Sequence, residues 1–175
     1  MKQMELYNIP LITAADIRSL SPELPVTVND DMFSGFIVKE GDSYLQSFLG
    51  CEMYQEFLLQ YSTSTLSATN LYLYDRYIKV LLVNRVMIKL FDAITYQAEN
   101  SGVRVKITDQ SREATIEEIT RKIQIYQNYC DNYSQDMVRY INENITDYPL
   151  FYKSTYCDCK SKTNYMYGSF GIQGF

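Results

Sequence analysis

The stretch that decides the fold is Asn70–Glu99, NLYLYDRYIKVLLVNRVMIKLFDAITYQAE. Leu71, Tyr74, Ile78, Leu81, Leu82, Val86, Leu90, Phe91 and Ile94 recur at the three–four spacing of one helix face. Val80, Val83, Met87 and Ile88 fill other sides, so this helix is apolar on most faces and belongs at the centre of a helical domain. At 1.5 Å per residue it is about 40 Å long. Asp75, Arg76, Lys79, Arg85, Lys89 and Asp92 interrupt it too often for a membrane span. A central helix needs neighbours, and the flanking sequence supplies them.

Downstream, Asn100-Ser101-Gly102 is a turn signal, and Val103-Arg104-Val105-Lys106-Ile107 alternates apolar and basic residues as a short half-buried strand does. Thr115 and Glu118 have capping-box spacing. From there Ile116, Ile119, Ile123, Tyr126, Cys130, Tyr133, Met137 and Tyr140 form a seam that fits a second long helix lying along the central one. So many seam tyrosines suit an edge that reaches water or a neighbour. The pattern fades by Asn144, and Pro149 ends it.

Upstream, Thr13 and Asp16 mark the start of a short helix that stops by Ser21-Pro22. Asn29-Asp30-Asp31 caps another, with Phe33, Phe36, Ile37, Tyr44, Leu45, Phe48 and Leu49 inward and Gly50 as its C-terminal cap. Glu52 to Tyr61 reads as a shorter helix with Met53, Phe57 and Leu58 inward, and Ser62 to Thr69 as a loop. The expected fold is mainly α. It is a small helical bundle with two long antiparallel helices, two or three shorter N-terminal helices, one short β segment and an extended C-terminal arm. The division is residues 1–148 for the helical domain and 149–175 for the arm.

Composition narrows the chemistry. The 175 residues include 17 Tyr, no Trp and no His, so no imidazole base or His-ligated metal is available. The net charge is −5, which opposes a protein that coats nucleic acid by neutralising phosphates. No nucleophile elbow, zincin, Walker or EF-hand pattern is present, and Glu117-Glu118 and Asp30-Asp31 are first-turn acids, not paired catalytic carboxylates. Cys157-Asp158-Cys159 is too closely spaced for a CxxC redox pair, and the four cysteines are expected as free thiols. Met1-Lys2-Gln3-Met4-Glu5 lacks an apolar h-region and Pro10 follows early, so no signal peptide is expected here. The expectation is a non-enzyme without metal or cofactor.

Charge and aromaticity are uneven. Residues 1–50 carry −4, while residues 151–175 carry +2. The latter contain Tyr152, Tyr156, Tyr165, Met166, Tyr167, Phe170, Ile172 and Phe175 with Gly168, Gly171 and Gly174 between them. Such a segment is too aromatic for a solvated linker, and it either orders on a partner or docks on its own bundle.

The order of elements resembles a known family. Ile12-Thr13-Ala14-Ala15-Asp16-Ile17, the stretch DDMFSGFIVKEGDSYLQSFLG (residues 30–50), EMYQEFL (residues 52–58), a long central helix, a crossing segment and a second long helix are similar to the head-to-tail connector (adaptor, head-completion) proteins of tailed bacteriophages. The aromatic, glycine-rich arm resembles the longer ring proteins of crAss-like phages. The resemblance implies a structural virion protein at the head–tail junction, made in the host cytoplasm. It implies a cyclic homo-oligomer of about twelve copies, bound to the portal and to tail or further ring proteins, with DNA passing through unbound. The arm residues named above are then assembly-interface candidates. Asp30, Asp31, Glu40 and Asp42 are the candidates for an acidic channel lining, which would not trap a passing polyanion. The alternative is a cytoplasmic helical regulatory or binding module with a pocket between the two long helices.

Overall fold

Helix α1 (Ala14–Leu20) begins with a reciprocal cap: the Thr13 hydroxyl accepts the Asp16 N–H at 3.2 Å, and the Asp16 carboxylate accepts the Thr13 N–H at 2.8 Å. The sequence points to this start, and Ser21 closes the helix with its N–H on the Ile17 carbonyl. The computed structural model describes residues 9–22, 24, 30–101 and 116–151. Ahead of α1, Leu11 and Ile12 are fully buried, and the Tyr74 hydroxyl donates to the Leu11 carbonyl at 2.6 Å. That bond ties the incoming chain to the core.

The next helical rod runs through α2 (Asp31–Glu40), a π-helical turn π1 (Gly41–Leu45) and α3 (Gln46–Leu49). Phe33, Ile37, Gly41, Leu45 and Leu49 are all buried, each four residues after the last. A regular α-helix turns every 3.6 residues, so four-residue steps drift by about 40° each, about 160° over this run. The wider i→i+5 bonding of π1 takes up much of that drift and keeps both ends of the rod facing inward. Gly50 then adopts φ 77° and ψ 162°, a region essentially reserved for glycine, and the chain turns directly into α4 (Cys51–Ser62).

The central helix repeats the device. It is assembled from α5 (Ala68–Leu73), capped by the Ser67 hydroxyl, π2 (Tyr74–Ile78) and α6 (Lys79–Ser101). Tyr74, Ile78, Leu82, Val86 and Leu90 are buried at the same four-residue interval. Leu81, Val83, Met87 and Ile88 are buried too, so the helix is enclosed on most sides over this stretch. One expectation fails at its start: Leu71 is 47% exposed, not core-lining, and Leu73 and Tyr74 take the buried positions at this end of the helix.

Helix α7 (Ile116–Glu143) packs along α6. The Thr69 carbonyl accepts the Tyr148 hydroxyl at 2.9 Å, the Tyr77 and Tyr140 rings are 5.4 Å apart, and the Phe91 and Tyr126 rings 5.8 Å. In each pair the residue numbers add to 217, which makes the two segments antiparallel in constant register. Tyr126, Cys130, Met137 and Ile141 are buried, and Ile123, Tyr133 and Tyr140 are half-buried against the core. The seam therefore lies inside this chain. Tyr148 is buried beyond the end of α7, so packing continues to the edge of the described residues.

The protein is mainly α, and no strand occurs among the described residues. The expected strand at Val103–Ile107, the capping Thr115 and the arm from Tyr152 onward lie outside them.

Candidate functional site

The four acidic candidates lie along the start of the α2–π1 rod but do not share an environment. Asp30 is exposed and accepts a hydrogen bond from the Arg18 guanidinium Nε at 2.9 Å, and Asp31 is exposed in the first turn of α2. Asp42 is half-buried and accepts the Tyr54 hydroxyl at 2.8 Å. Burial first, and then this carboxylate, push the Tyr54 phenol well above its ordinary range. Glu40 is a correction: only 3% exposed, it faces inward and cannot line a channel.

Glu40 is held by Arg85, whose Nε and terminal nitrogen each lie 2.9 Å from Glu40 Oε2. The guanidinium also stacks 4.1 Å from the Tyr44 ring centroid, and Tyr44 meets Phe48 edge-on at 5.0 Å. The four side chains form one chain of contacts from α6 through α2 and π1 to α3. A buried carboxylate without such a partner would be costly. Sequence reading missed this unit because Arg85 and Glu40 are 45 residues apart. Arg85 is one of six charges that interrupt the central helix, so its charge alone did not single it out.

Phe48 is one wall of a surface groove of about 650 Å³. The other wall is α7, with Ser134 and Val138 set inward and Gln135, Arg139 and Glu143 exposed along the rim. A second groove of about 610 Å³ runs over Gly35, Val38 and Lys39 on α2. Neither is lined by α6, so neither is a pocket between the two long helices.

Large apolar side chains also reach solvent at separated places. Leu71 (47% exposed) adjoins, and Tyr72 (50%) begins, the tyrosine cluster Tyr72–Tyr77–Tyr140–Tyr148, whose successive rings lie 5.4 to 6.4 Å apart. Burial above all raises the Tyr77 and Tyr148 phenols, with neighbouring tyrosines adding to it. Ile125 (41%) and Tyr129 (49%) stand one turn apart on the outer face of α7. In the antiparallel register they lie beside residues 88–92, about 25–30 Å along the helices from Tyr72.

Nucleophilic chemistry finds little support here. Cys130 is free and buried, and desolvation pushes its thiol up to about 12. Cys51 is disulfide-bonded, which corrects the expectation of free thiols at that position; sequence spacing does not say which sulfurs meet in space. Among the described residues, no three His, Cys, Asp or Glu side chains gather as metal ligands, and no helix is long and apolar enough to cross a membrane. The arm candidates Tyr152, Tyr156, Tyr165, Met166, Tyr167, Phe170, Ile172 and Phe175 lie outside the described residues.

No curated protein and no solved structure matches the chain. A family model does match it, over residues 45–161, from π1 through α7 and beyond. By that match the chain belongs to DUF6712, a family of unknown function.

Proposed function

We propose that this protein is a structural ring subunit of a tailed-phage virion, seated between portal and tail and extending or sealing the DNA channel. Its role is mechanical, not enzymatic. The observation that carries this reading is the pair of unlike exposed apolar patches, Leu71–Tyr72 and Ile125–Tyr129, at separated places on one packed helical pair. Unlike patches at separated positions suit head-to-tail contact, in which one face meets a different face of the next copy until rotation closes a ring. The order of helices, similar to that of the connector proteins, points the same way. In the full architecture proposed, a short strand at Val103–Ile107 joins the long helices of the bundle, and the arm of residues 149–175 contacts a neighbouring ring. Of the acidic candidates, Asp30 and Asp31 are exposed, with Asp30 paired to Arg18; Asp42 is half-buried and engaged with Tyr54, and Glu40 is withdrawn.

Head-to-tail geometry makes a specific demand on mutants. A Leu71→Asp/Tyr72→Asp chain and an Ile125→Asp/Tyr129→Asp chain each lose one half of the contact. Mixed, they should pair through the remaining intact halves yet form no ring on the portal, as read by sedimentation and negative-stain microscopy. Wild-type co-assembly with the portal by both variants would overturn the proposal. The alternative of a binding module keeps one favouring observation, the 650 Å³ groove beside Phe48.

A further inference from the structure

The groove between Phe48 and α7 is lined by none of the four patch residues Leu71, Tyr72, Ile125 and Tyr129. We propose that in the isolated chain it holds the aromatic–glycine stretch of residues 165–175 of the same polypeptide, folded back as an internal latch. Its volume of about 650 Å³ falls in the range that accommodates a small ligand or a few aromatic side chains, and Phe48 and Val138 make its inner surface apolar. Residues 165–175 have the matching chemistry. Tyr165, Tyr167, Phe170 and Phe175 supply flat apolar anchors, and Gly168, Gly171 and Gly174 let the backbone come close to a helix surface. Charge agrees: residues 152–175 carry +2 and the remaining 151 residues carry −7, and of the two charged rim residues Arg139 is paired with Asp136 while Glu143 adds a further acid.

Reach is sufficient. Phe151 stands eight residues beyond Glu143 at the same end of the bundle as the groove. With Cys130 free, the Cys51 disulfide leaves only Cys157 or Cys159 as its partner, so the arm is tied three residues beyond Phe48. Residues 160–164 beyond that tie can span ~17 Å. The groove runs along only the last three turns of α7, about 15 Å. Docking within one chain also proceeds at an effective concentration near the millimolar range, which a second dilute copy does not match. This inference stands whether or not the chain is a ring subunit.

The test uses the full chain with photoreactive p-benzoylphenylalanine at Val138 and, in a second variant, at the exposed rim position Gln135. Equal amounts of unlabelled and heavy-isotope chains are mixed and irradiated, and the linked peptides are mapped by mass spectrometry. Links from both positions to residues 165–175, each within one isotopic species, are expected. Links joining light to heavy chains would reassign the groove to a second copy and overturn the latch. Absence of any link to residues 165–175 overturns it as well. A Tyr167→Ser/Phe170→Ser chain, with unchanged far-UV circular dichroism, should lose the link; undiminished linking there refutes the role of the aromatic anchors.

Discussion

Removing Arg85 should expose the cost of the buried carboxylate. Both guanidinium contacts, at 2.9 Å, fall on one oxygen of Glu40, whose side chain is 4% exposed while that of Arg85 is 21% exposed. Two unit charges about 4 Å apart attract by ~4 kcal/mol at an effective dielectric near 20, an attraction largely offset by the desolvation of both groups. Arg85→Ala keeps the desolvation of Glu40 and deletes the attraction, along with the stacking on Tyr44. The expected loss is about 3–5 kcal/mol. Glu40→Gln should cost less, about 1–2 kcal/mol, because the more exposed guanidinium can turn towards water and an amide still accepts a hydrogen bond. The double variant should be more stable than Arg85→Ala alone, since no charge is then stranded. Urea unfolding followed by circular dichroism measures each corner of the cycle. For a chain of this length the Arg85→Ala melting temperature should fall by about 6–20 °C. A loss under ~1 kcal/mol for Arg85→Ala, or a double variant no better than the sum of the singles, would refute the reasoning.

Gly50→Ala should cost about 1–3 kcal/mol, because φ 77° with ψ 162° strains any side chain, whereas Gly35→Ala should stabilise by ~0.5–1 kcal/mol, since an added methyl there meets nothing within 4 Å on a helix interior; paired urea titrations compare them. Thr13→Ala should lose ~1 kcal/mol with the cap of α1. Burial works against the Asp16 carboxylate, but the Thr13 bonds and Lys79 outweigh it and lower its pKa, so this group stabilises above pH ~4 and ceases to as pH falls further; in Asp16→Asn that acid dependence should shrink. Tyr54, Tyr74 and Tyr148 hold their protons more tightly folded than unfolded, so their contribution is complete below pH ~10 and declines as pH rises past it. Ultraviolet titration should show these phenols ionising only with unfolding. Native Cys130 should resist thiol reagents at pH 8, and rapid labelling without unfolding would contradict its burial.

The helices were legible because each leaves a local trace. Thr13 with Asp16, Asp31 in a first turn and Gly50 after Leu49 are boundary signals that act over three or four residues, whereas Ser67, which caps α5 from within the stretch expected as a loop, was not read as one. The seam from Ile123 to Met137 likewise announces a helix with one buried face. The four-residue spacing of Phe33, Ile37, Leu45 and Leu49 was visible too, but it reads as an ordinary helix face until neighbours on both sides demand that every member point inward. Only that demand converts Gly41–Leu45 and Tyr74–Ile78 into π turns.

The chain's own order of residues determined that it is helical, where most rods begin and stop, and that imidazole chemistry is closed to it. These follow from short-range sterics, capping and composition, which act without reference to distant segments. Tertiary structure alone decided that Glu40 turns inward to Arg85, that Leu71 faces water and that Phe48 and α7 enclose a groove. Each depends on residues tens of positions apart being brought within a few ångströms, and a one-dimensional pattern carries no measure of that distance.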